Sequence, residues 1–153
     1  EARILAKGKD ITLVGISQMA IECLRAKKYL QEKGISAEVI DPISLSPLDM
    51  KTIERSALKT GRLIVVDNAW MTCGAGAEII TRLLEKNTHK NLQVHRMGFA
   101  FTTCPTTPAL ERYFYPDAKK IASEAYRMIF PRRKSWEPQT KLKVEEIEFI
   151  GPF

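Results

Sequence analysis

The residues whose types and spacing could do chemistry are concentrated in one stretch, from Asp67 to Glu78. Asp67 could serve as a general base, although a carboxylate at the end of a strand more commonly caps a turn or a helix. Gly74 and Gly76 allow the backbone to approach a phosphate or another segment of backbone closely. A single G-x-G pair without a lysine or a third glycine is a common turn, so it does not by itself predict a phosphate site.

Glu78, Trp70 and Arg96 each allow a structural and a functional interpretation. Glu78 falls in the first turn of a predicted helix, where a carboxylate favours the helix dipole, and it could instead face a partner or an active site. The indole N–H of Trp70 needs a hydrogen-bond partner when buried, and a subunit contact and a core position both remain open. Arg96 could hold a carboxylate of a substrate or of a neighbouring chain, with a structural salt bridge as the alternative.

The histidines and cysteines argue against two common kinds of catalytic site. His89 and His95 lie far from any serine or cysteine nucleophile pattern, so we expect no catalytic triad. Cys23, Cys73 and Cys104 are an odd number without metal-ligand spacing, so we expect no zinc site. Reduced thiols in a cytoplasmic protein are the simplest interpretation of these three cysteines.

The composition predicts one domain with a substantial core, because 44% of the 153 residues are hydrophobic. The formal net charge is +6, yet the basic residues are scattered except at Arg132, Arg133 and Lys134. No basic stripe is interleaved with aromatic residues, so a surface that faces an acidic partner is favoured over nucleic-acid binding. No apolar run approaches the ~18 residues of a membrane span, so we expect no membrane partner.

Apolar patterning predicts five strands. Leu63 to Val66 is an unbroken apolar run, typical of a strand buried on both faces of a sheet. Leu92 to Met97 alternates, as in a half-exposed strand near a sheet edge. The other predicted strands are Ala2 to Ala6, Ile11 to Ile16 and Ala37 to Ile40.

Helices are predicted between these strands. Ser17 is expected to cap a helix that runs to about Lys33, and Ser46-Pro47 to open one that ends at Gly61. Helices are also predicted from Ala77, from Thr107 to Phe114, and after Pro116-Asp117. Strands that alternate with helices indicate a three-layer α/β/α domain over residues 1–130. Residues 131–153 fall outside this alternation. Two interpretations of this segment stay open, a mobile tail and an arm that packs on another subunit.

Five motifs follow one another in the order of a known family. They are Asp10-Ile-Thr-Leu-Val-Gly, Val39-Ile-Asp-Pro-Ile, Thr60-Gly-Arg-Leu-Ile-Val-Val, Cys73-Gly-Ala-Gly-Ala-Glu-Ile and Tyr115-Pro. Residues 1 to about 130 thus resemble the transketolase C-terminal-like domain of the 2-oxo acid dehydrogenase E1 β subunits. The resemblance implies a five-stranded mixed sheet whose first strand is antiparallel to the rest. It also matches Glu78, Trp70 and Arg96 to family positions and assigns Gly74 and Gly76 to a close turn before a helix.

The resemblance implies a role in a thiamine enzyme for a pyruvate-type or branched-chain 2-oxo acid. In that family, thiamine diphosphate and Mg serve decarboxylation, and the acyl group passes to a lipoyl-bearing E2 subunit. The cofactor sits between domains that this chain does not contain, so we expect no cofactor on this chain and no catalysis by it alone. The implied partners are an E1 α subunit or preceding domains, possibly E2, and further copies in a homo-oligomer.

The chain departs from the family pattern in two places. Asp67 stands where the family usually has Glu, and Phe101-Thr102-Thr103 stands where many relatives have Asp-Thr-Pro. The second departure points to a different substrate or to a relative without dehydrogenase activity. Two alternatives therefore stay open: a stand-alone dimerisation or binding module, and the end domain of another thiamine enzyme. Transketolase, deoxyxylulose-phosphate synthase and 2-oxo acid:ferredoxin oxidoreductase are examples of the latter.

Overall fold

A computed structural model describes residues 1–87 and 91–140. Its centre is a five-stranded sheet with the strand order β1-β3-β2-β4-β5. The strands are β1 (Arg3–Ala6), β2 (Ile11–Gly15), β3 (Ala37–Asp41), β4 (Arg62–Val66) and β5 (Gln93–Met97). β1 pairs antiparallel with β3, and every other neighbouring pair is parallel. The predicted five-stranded mixed sheet with an antiparallel first strand is thereby confirmed.

Helices cover both faces of the sheet. They are α1 (Met19–Gln31), α2 (Met50–Thr60), α3 (Ala75–Lys86), α4 (Pro108–Phe114) and α5 (Ala118–Ile129). Buried residues of α1 and α5 share one hydrophobic cluster, whereas those of α2 and α3 share the other. The domain therefore has the three layers that the alternation of strands and helices predicts.

Strand β4 shows why an unbroken apolar run suits the middle of this sheet. Ile64 and Val66 point into the cluster of α1 and α5, while Leu63 and Val65 point into the cluster of α2 and α3. Successive side chains of a strand face opposite sides, so a strand covered on both faces needs apolar residues at every position. At the sheet edge, β5 is only partly buried, as its alternating sequence predicts.

A buried polar network lies beneath α2. The Thr12 hydroxyl oxygen is 2.8 Å from that of Ser56 and 2.9 Å from that of Thr60. Ser56 donates to Glu38, whose other carboxylate oxygen accepts from Lys59 and from the backbone N–H of Gly8. Every polar side chain of this network has a partner within it, which is the usual condition for burying such groups.

Two predicted helix starts are wrong. Ser17 does not cap α1: its φ is +56°, and the cap position is Gln18, which makes no side-chain capping bond. Ser46-Pro47 does not open α2, which begins after Asp49. The Asp49 carboxylate accepts hydrogen bonds from the backbone N–H and the hydroxyl of Thr52. A carboxylate that satisfies a free N–H of the first turn is a stronger start signal than a proline upstream.

The first part of the predicted extension packs on its own domain. The Trp136 ring lies 5.3 Å from that of Tyr126, Pro138 is buried, and the Tyr29 hydroxyl donates to the carbonyl of Thr140. Residues 141–153 lie outside the described residues, as does His89, so the choice between a mobile tail and a clasping arm stays a prediction. None of the described helices has the length and apolar character to cross a membrane.

Candidate functional site

The carboxyl ends of four parallel strands form one edge of the sheet. From this edge the chain leaves β2 through α1 towards β3 on one side, and it leaves β4 through α3 towards β5 on the other. The connections thus diverge between β2 and β4, and ligands or partners of open α/β sheets bind at such a point. The loops after these strands are therefore the first place to look for a functional surface.

Backbone strain is concentrated in these loops. In the described part of the chain, three residues other than glycine have a positive φ: Ser17 at 56°, Ile43 at 62° and Cys73 at 57°. They follow β2, β3 and β4 respectively. Left-handed backbone is costly for L-residues, above all for a β-branched residue such as Ile43. Such strain is typical of ligand-binding or partner-binding segments.

Exposed apolar side chains are concentrated in the same connections. Among the described residues, nine large hydrophobic side chains are exposed, and seven of them lie in the segments that follow β3, β4 and β5. The seven are Ile43, Leu45, Trp70, Met71, Phe101, Leu110 and Tyr113. Grouped exposure of this kind marks an interaction surface more often than scattered single residues do. The sequence predicts Trp70 and Phe101 as interface candidates but not the other five. For Ile43 and Leu45, apolar residues inside a Pro- and Ser-containing loop are a usable signal.

Trp70 is the centre of an aromatic group at this edge. Its ring centroid lies 5.9 Å from Phe99, 6.4 Å from Phe101 and 6.0 Å from Phe114, each in an edge-to-face arrangement. Trp70 is 46% exposed and Phe101 is 91% exposed, whereas Phe114 is buried. The sequence left a core position and a subunit contact open for Trp70. The structure shows a position between the two, because the ring covers the core with one side and faces solvent with the other. We call Trp70, Met71, Arg96 and Phe101 the carboxyl-edge surface.

The glycine pair holds the Trp70 loop against α3. A Cβ atom built on Gly74 would lie 2.3 Å from the carbonyl oxygen of Trp70, which no side chain can tolerate. Gly76 is buried, and a Cβ there would meet the Val65 side chain at 3.4 Å, an ordinary contact. Gly74 also occupies the N-cap position of α3 and accepts the backbone N–H of Ala77. The pair thus shapes a tight turn between β4 and α3.

Asp67 and Glu78 have different surroundings. Burial raises the pKa of the half-buried Asp67, and a hydrogen bond from the backbone N–H of Asn68 opposes this rise. Asp67 lines a cavity of about 10 Å³ between β4, β5 and the start of α3, which is the size of one water molecule. Glu78 is exposed and pairs with Arg82 at 2.6 Å along the surface of α3. Asp67 and Glu78 thus do not line the same cavity.

Arg96 is anchored beside Trp70. Its Nη1 donates a hydrogen bond of 2.8 Å to the carbonyl oxygen of Met71. Among the carboxylates of the described residues, none pairs with Arg96, whereas Glu124 of α5 pairs with Arg127 and lies 3.5 Å from His95. Of the two interpretations that the sequence allows for Arg96, the structural salt bridge is thus not formed within the described residues, where the guanidinium binds a backbone carbonyl instead. Its exposed guanidinium keeps further donors for a carboxylate.

Two open cavities flank the start of α1 at the same edge. One, of about 430 Å³, is lined by Gln18, Glu22 and Asn68, with Tyr115 and Asp117 from the segment before α5. The other, of about 320 Å³, lies between the loops that carry Ser17 and Ile43. Within residues 1–87 and 91–140, no three His, Cys, Asp or Glu side chains are grouped so as to hold a metal ion.

Similarity to known proteins shows which family this chain belongs to. Residues 1–121 match the model of the transketolase C-terminal domain. The chain belongs to this family. Curated relatives include the mitochondrial pyruvate dehydrogenase E1 component subunit beta of Pisum sativum, which is 38% identical over 83% of this chain and 36% of that protein. The acetoin:2,6-dichlorophenolindophenol oxidoreductase subunit beta of Bacillus subtilis is 35% identical over 84% of this chain and 38% of that protein.

Solved structures agree with this transketolase C-terminal family. A split-gene transketolase, described as an inactive beta4 tetramer, superposes with a TM-score of 0.74 and 27% identity over 87% of this chain and 43% of that one. A 2-oxoglutarate:ferredoxin oxidoreductase from Magnetococcus marinus, with a TM-score of 0.53 and 12% identity, shares the fold alone. This chain spans little more than a third of the length of the curated relatives cited above. The family resemblance inferred from the five sequence motifs is therefore confirmed.

Proposed function

We propose that this chain is the C-terminal domain of the β subunit of a thiamine-dependent enzyme that acts on a short 2-oxo acid or on acetoin. The relatives that support this proposal are pyruvate dehydrogenase and acetoin oxidoreductase β subunits. The domain holds the subunits together and supports the active site, while the reaction takes place on other domains. Thiamine diphosphate and magnesium belong to those domains in this proposal.

The observation that carries the proposal is the exposed carboxyl-edge surface. Trp70 and Phe101 expose large aromatic faces on loops fixed by the Gly74 turn and by the contact with Phe114. Aromatic residues on rigid supports are typical anchors of protein interfaces, because little side-chain freedom is lost on binding. An E1 α-type subunit or the preceding domains of the β subunit are the proposed occupants of this surface, and E2 is a further proposed partner.

A pair of variants of the full-length β subunit tests this assembly role. We expect Trp70→Ser with Phe101→Ser to abolish assembly with the thiamine-binding subunit and to lower decarboxylase activity at least ~10-fold, because two anchor side chains are lost. Light scattering after size-exclusion chromatography measures the assembly. Leu58→Ser is the matched control, since Leu58 is an exposed apolar residue of α2 outside the carboxyl-edge surface. Normal assembly of the double variant would refute the proposed role.

The exposure of Phe101 favours a second candidate function, that of a stand-alone module that pairs with another copy of itself. A phenylalanine that is 91% exposed, in place of the carboxylate of many relatives, makes this loop more apolar. Light scattering on the isolated chain separates the two candidates. A dimer that the Phe101→Ser change dissociates would support self-pairing, and a monomer at high concentration would exclude it.

A further inference from the structure

We infer that Arg96 receives a carboxylate of a different subunit, presented beside an apolar side chain that packs on Trp70 and Met71. The inference rests on the proposed assembly function and names the chemistry of the partner at the carboxyl-edge surface. The partner segment is an acidic-apolar one: an aspartate or glutamate next to an aliphatic or aromatic residue.

Arg96 is held by a hydrogen bond to the Trp70 loop, and its side chain runs past Gly76. Its Nη1 is held by the carbonyl oxygen of Met71 at 2.8 Å, and a Cβ at Gly76 would lie 4.0 Å from its Cδ. The aliphatic stem thus runs past the first turn of α3, while the guanidinium reaches the loop that carries Trp70. A guanidinium already ordered in this way loses little conformational freedom when it binds a partner.

The remaining donors of Arg96 are suited to a carboxylate. Arginines on α1, α3 and α5 are neutralised by neighbouring glutamates, as Arg82 is by Glu78 at 2.6 Å. Arg96 is exposed and makes no such pair with a carboxylate of the described residues. A planar guanidinium can donate two parallel N–H bonds to one carboxylate, and the apolar rings beside it would exclude water from that pair.

Charge argues for a different subunit rather than a second copy. A two-fold pairing of this surface with itself would bring the same patch of both copies together, and with it both Arg96 guanidinium groups. The chain also carries a net charge of +6. Like charges in one patch oppose self-pairing, whereas an acidic segment is attracted.

A cross-linking experiment tests where the carboxylate comes from. In the full-length subunit, Arg96→Lys places a primary amine at this position, and a zero-length carbodiimide couples an amine to a carboxylate in direct contact. We expect an amide link from position 96 to an aspartate or glutamate of the thiamine-binding subunit, read by peptide mass spectrometry. Arg82→Lys is the matched control, because the same chemistry should link position 82 to Glu78 of its own chain. A link from position 96 to this chain or to its second copy, or no link while the control reacts, would overturn the inference.

An affinity measurement separates this inference from the proposed function. We expect Arg96→Gln to weaken binding of the purified thiamine-binding subunit by ~10–100-fold, because the paired charge is lost. The melting temperature should fall only slightly, because the domain itself loses one exposed hydrogen bond to Met71. Arg82→Gln, on the exposed face of α3, should change binding less than ~3-fold. If the wild-type subunit does not bind at all, the proposed function fails as well. If it binds and Arg96→Gln binds equally, only the inference about Arg96 fails.

Discussion

The indole ring of Trp70 stands edge-on to the ring of Phe114, with the centroids 6.0 Å apart and the ring planes at 87°. Phe114 is buried at the end of α4, whereas nearly half of the Trp70 surface is exposed. One side chain therefore covers the core and presents an aromatic face to a partner. Such a residue couples the stability of the domain to its capacity for assembly.

Trp70 and Phe101 should differ in their effect on stability. We expect Trp70→Ala to lower the free energy of unfolding by about 1–2 kcal/mol, because a half-buried ring loses about half of what a fully buried one contributes. Phe101→Ala should change it by less than about 0.5 kcal/mol, since its ring is almost entirely exposed. Urea denaturation of the isolated chain measures both, and equal losses would contradict the described packing.

Gly74 should tolerate no side chain, in contrast to Gly76. A Cβ at Gly74 would meet the Trp70 carbonyl oxygen at 2.3 Å, so Gly74→Ala must displace the loop. We expect a loss of at least about 2 kcal/mol and a shifted Trp70 fluorescence spectrum. Gly76→Ala should stay within about 1 kcal/mol of wild type, because the new Cβ makes only an ordinary contact with Val65 and alanine has the higher helix propensity. A Gly74→Ala protein with unchanged fluorescence would refute this account of the turn.

Glu38 should contribute stability that depends on pH. Burial alone would raise the pKa of Glu38, but hydrogen bonds from Lys59, Ser56 and the backbone of Gly8 hold it below the usual value. Because the folded state binds a proton less readily than the unfolded chain, this contribution is present above the unfolded pKa of about 4.3 and is lost as the pH falls below it.

The test of this pH dependence compares Glu38→Gln with the wild type. We expect the variant to be less stable by about 1–3 kcal/mol at pH 7, because it loses a charged acceptor for three donors. The difference should shrink between about pH 5 and pH 3. Glu85→Gln, on the exposed face of α3, is the control and should follow the wild type. Chemical denaturation across this pH range measures the effect, and a difference independent of pH would contradict it.

Asp49 should be the main start signal of α2. Hydrogen bonds from the Thr52 hydroxyl and from the backbone N–H groups of Ala2 and Thr52 lower the pKa of Asp49 to about 2. We expect Asp49→Ala to cost about 1–2 kcal/mol at pH 7 and Asp49→Asn less, because asparagine also caps helices. Thermal unfolding compares the two. Because the pKa of Asp49 is lower in the folded state than in the unfolded chain, the wild type should lose its greater stability over Asp49→Ala as the pH falls from about 4 towards 2.

The helix starts show where local signals fail. Ser46-Pro47 and Asp49 both lie in one short segment, and each is a recognised helix-start residue. Asp49 caps α2 through Thr52, and its carboxylate also accepts a hydrogen bond from the backbone N–H of Ala2, a residue 47 positions away. No window of neighbouring residues contains that contact. At Ser17, the cap lies one residue later, at Gln18, and the backbone of Met19 and Ala20 passes close to Gly15.

The sequence itself determined the order of strands and helices, the buried interior strand Leu63–Val66, the exposed edge strand and the family. Periodicity is a local property, and the order of the motifs is read directly along the chain. The tertiary structure alone decided which side chains meet. Phe99, Phe114 and Trp70 come from three segments, and Arg96 finds its anchor 25 residues earlier, at Met71. These tertiary contacts depend on how β4 and β5 align in the sheet and on where α4 packs. Neither can be predicted from residues that are close together in sequence.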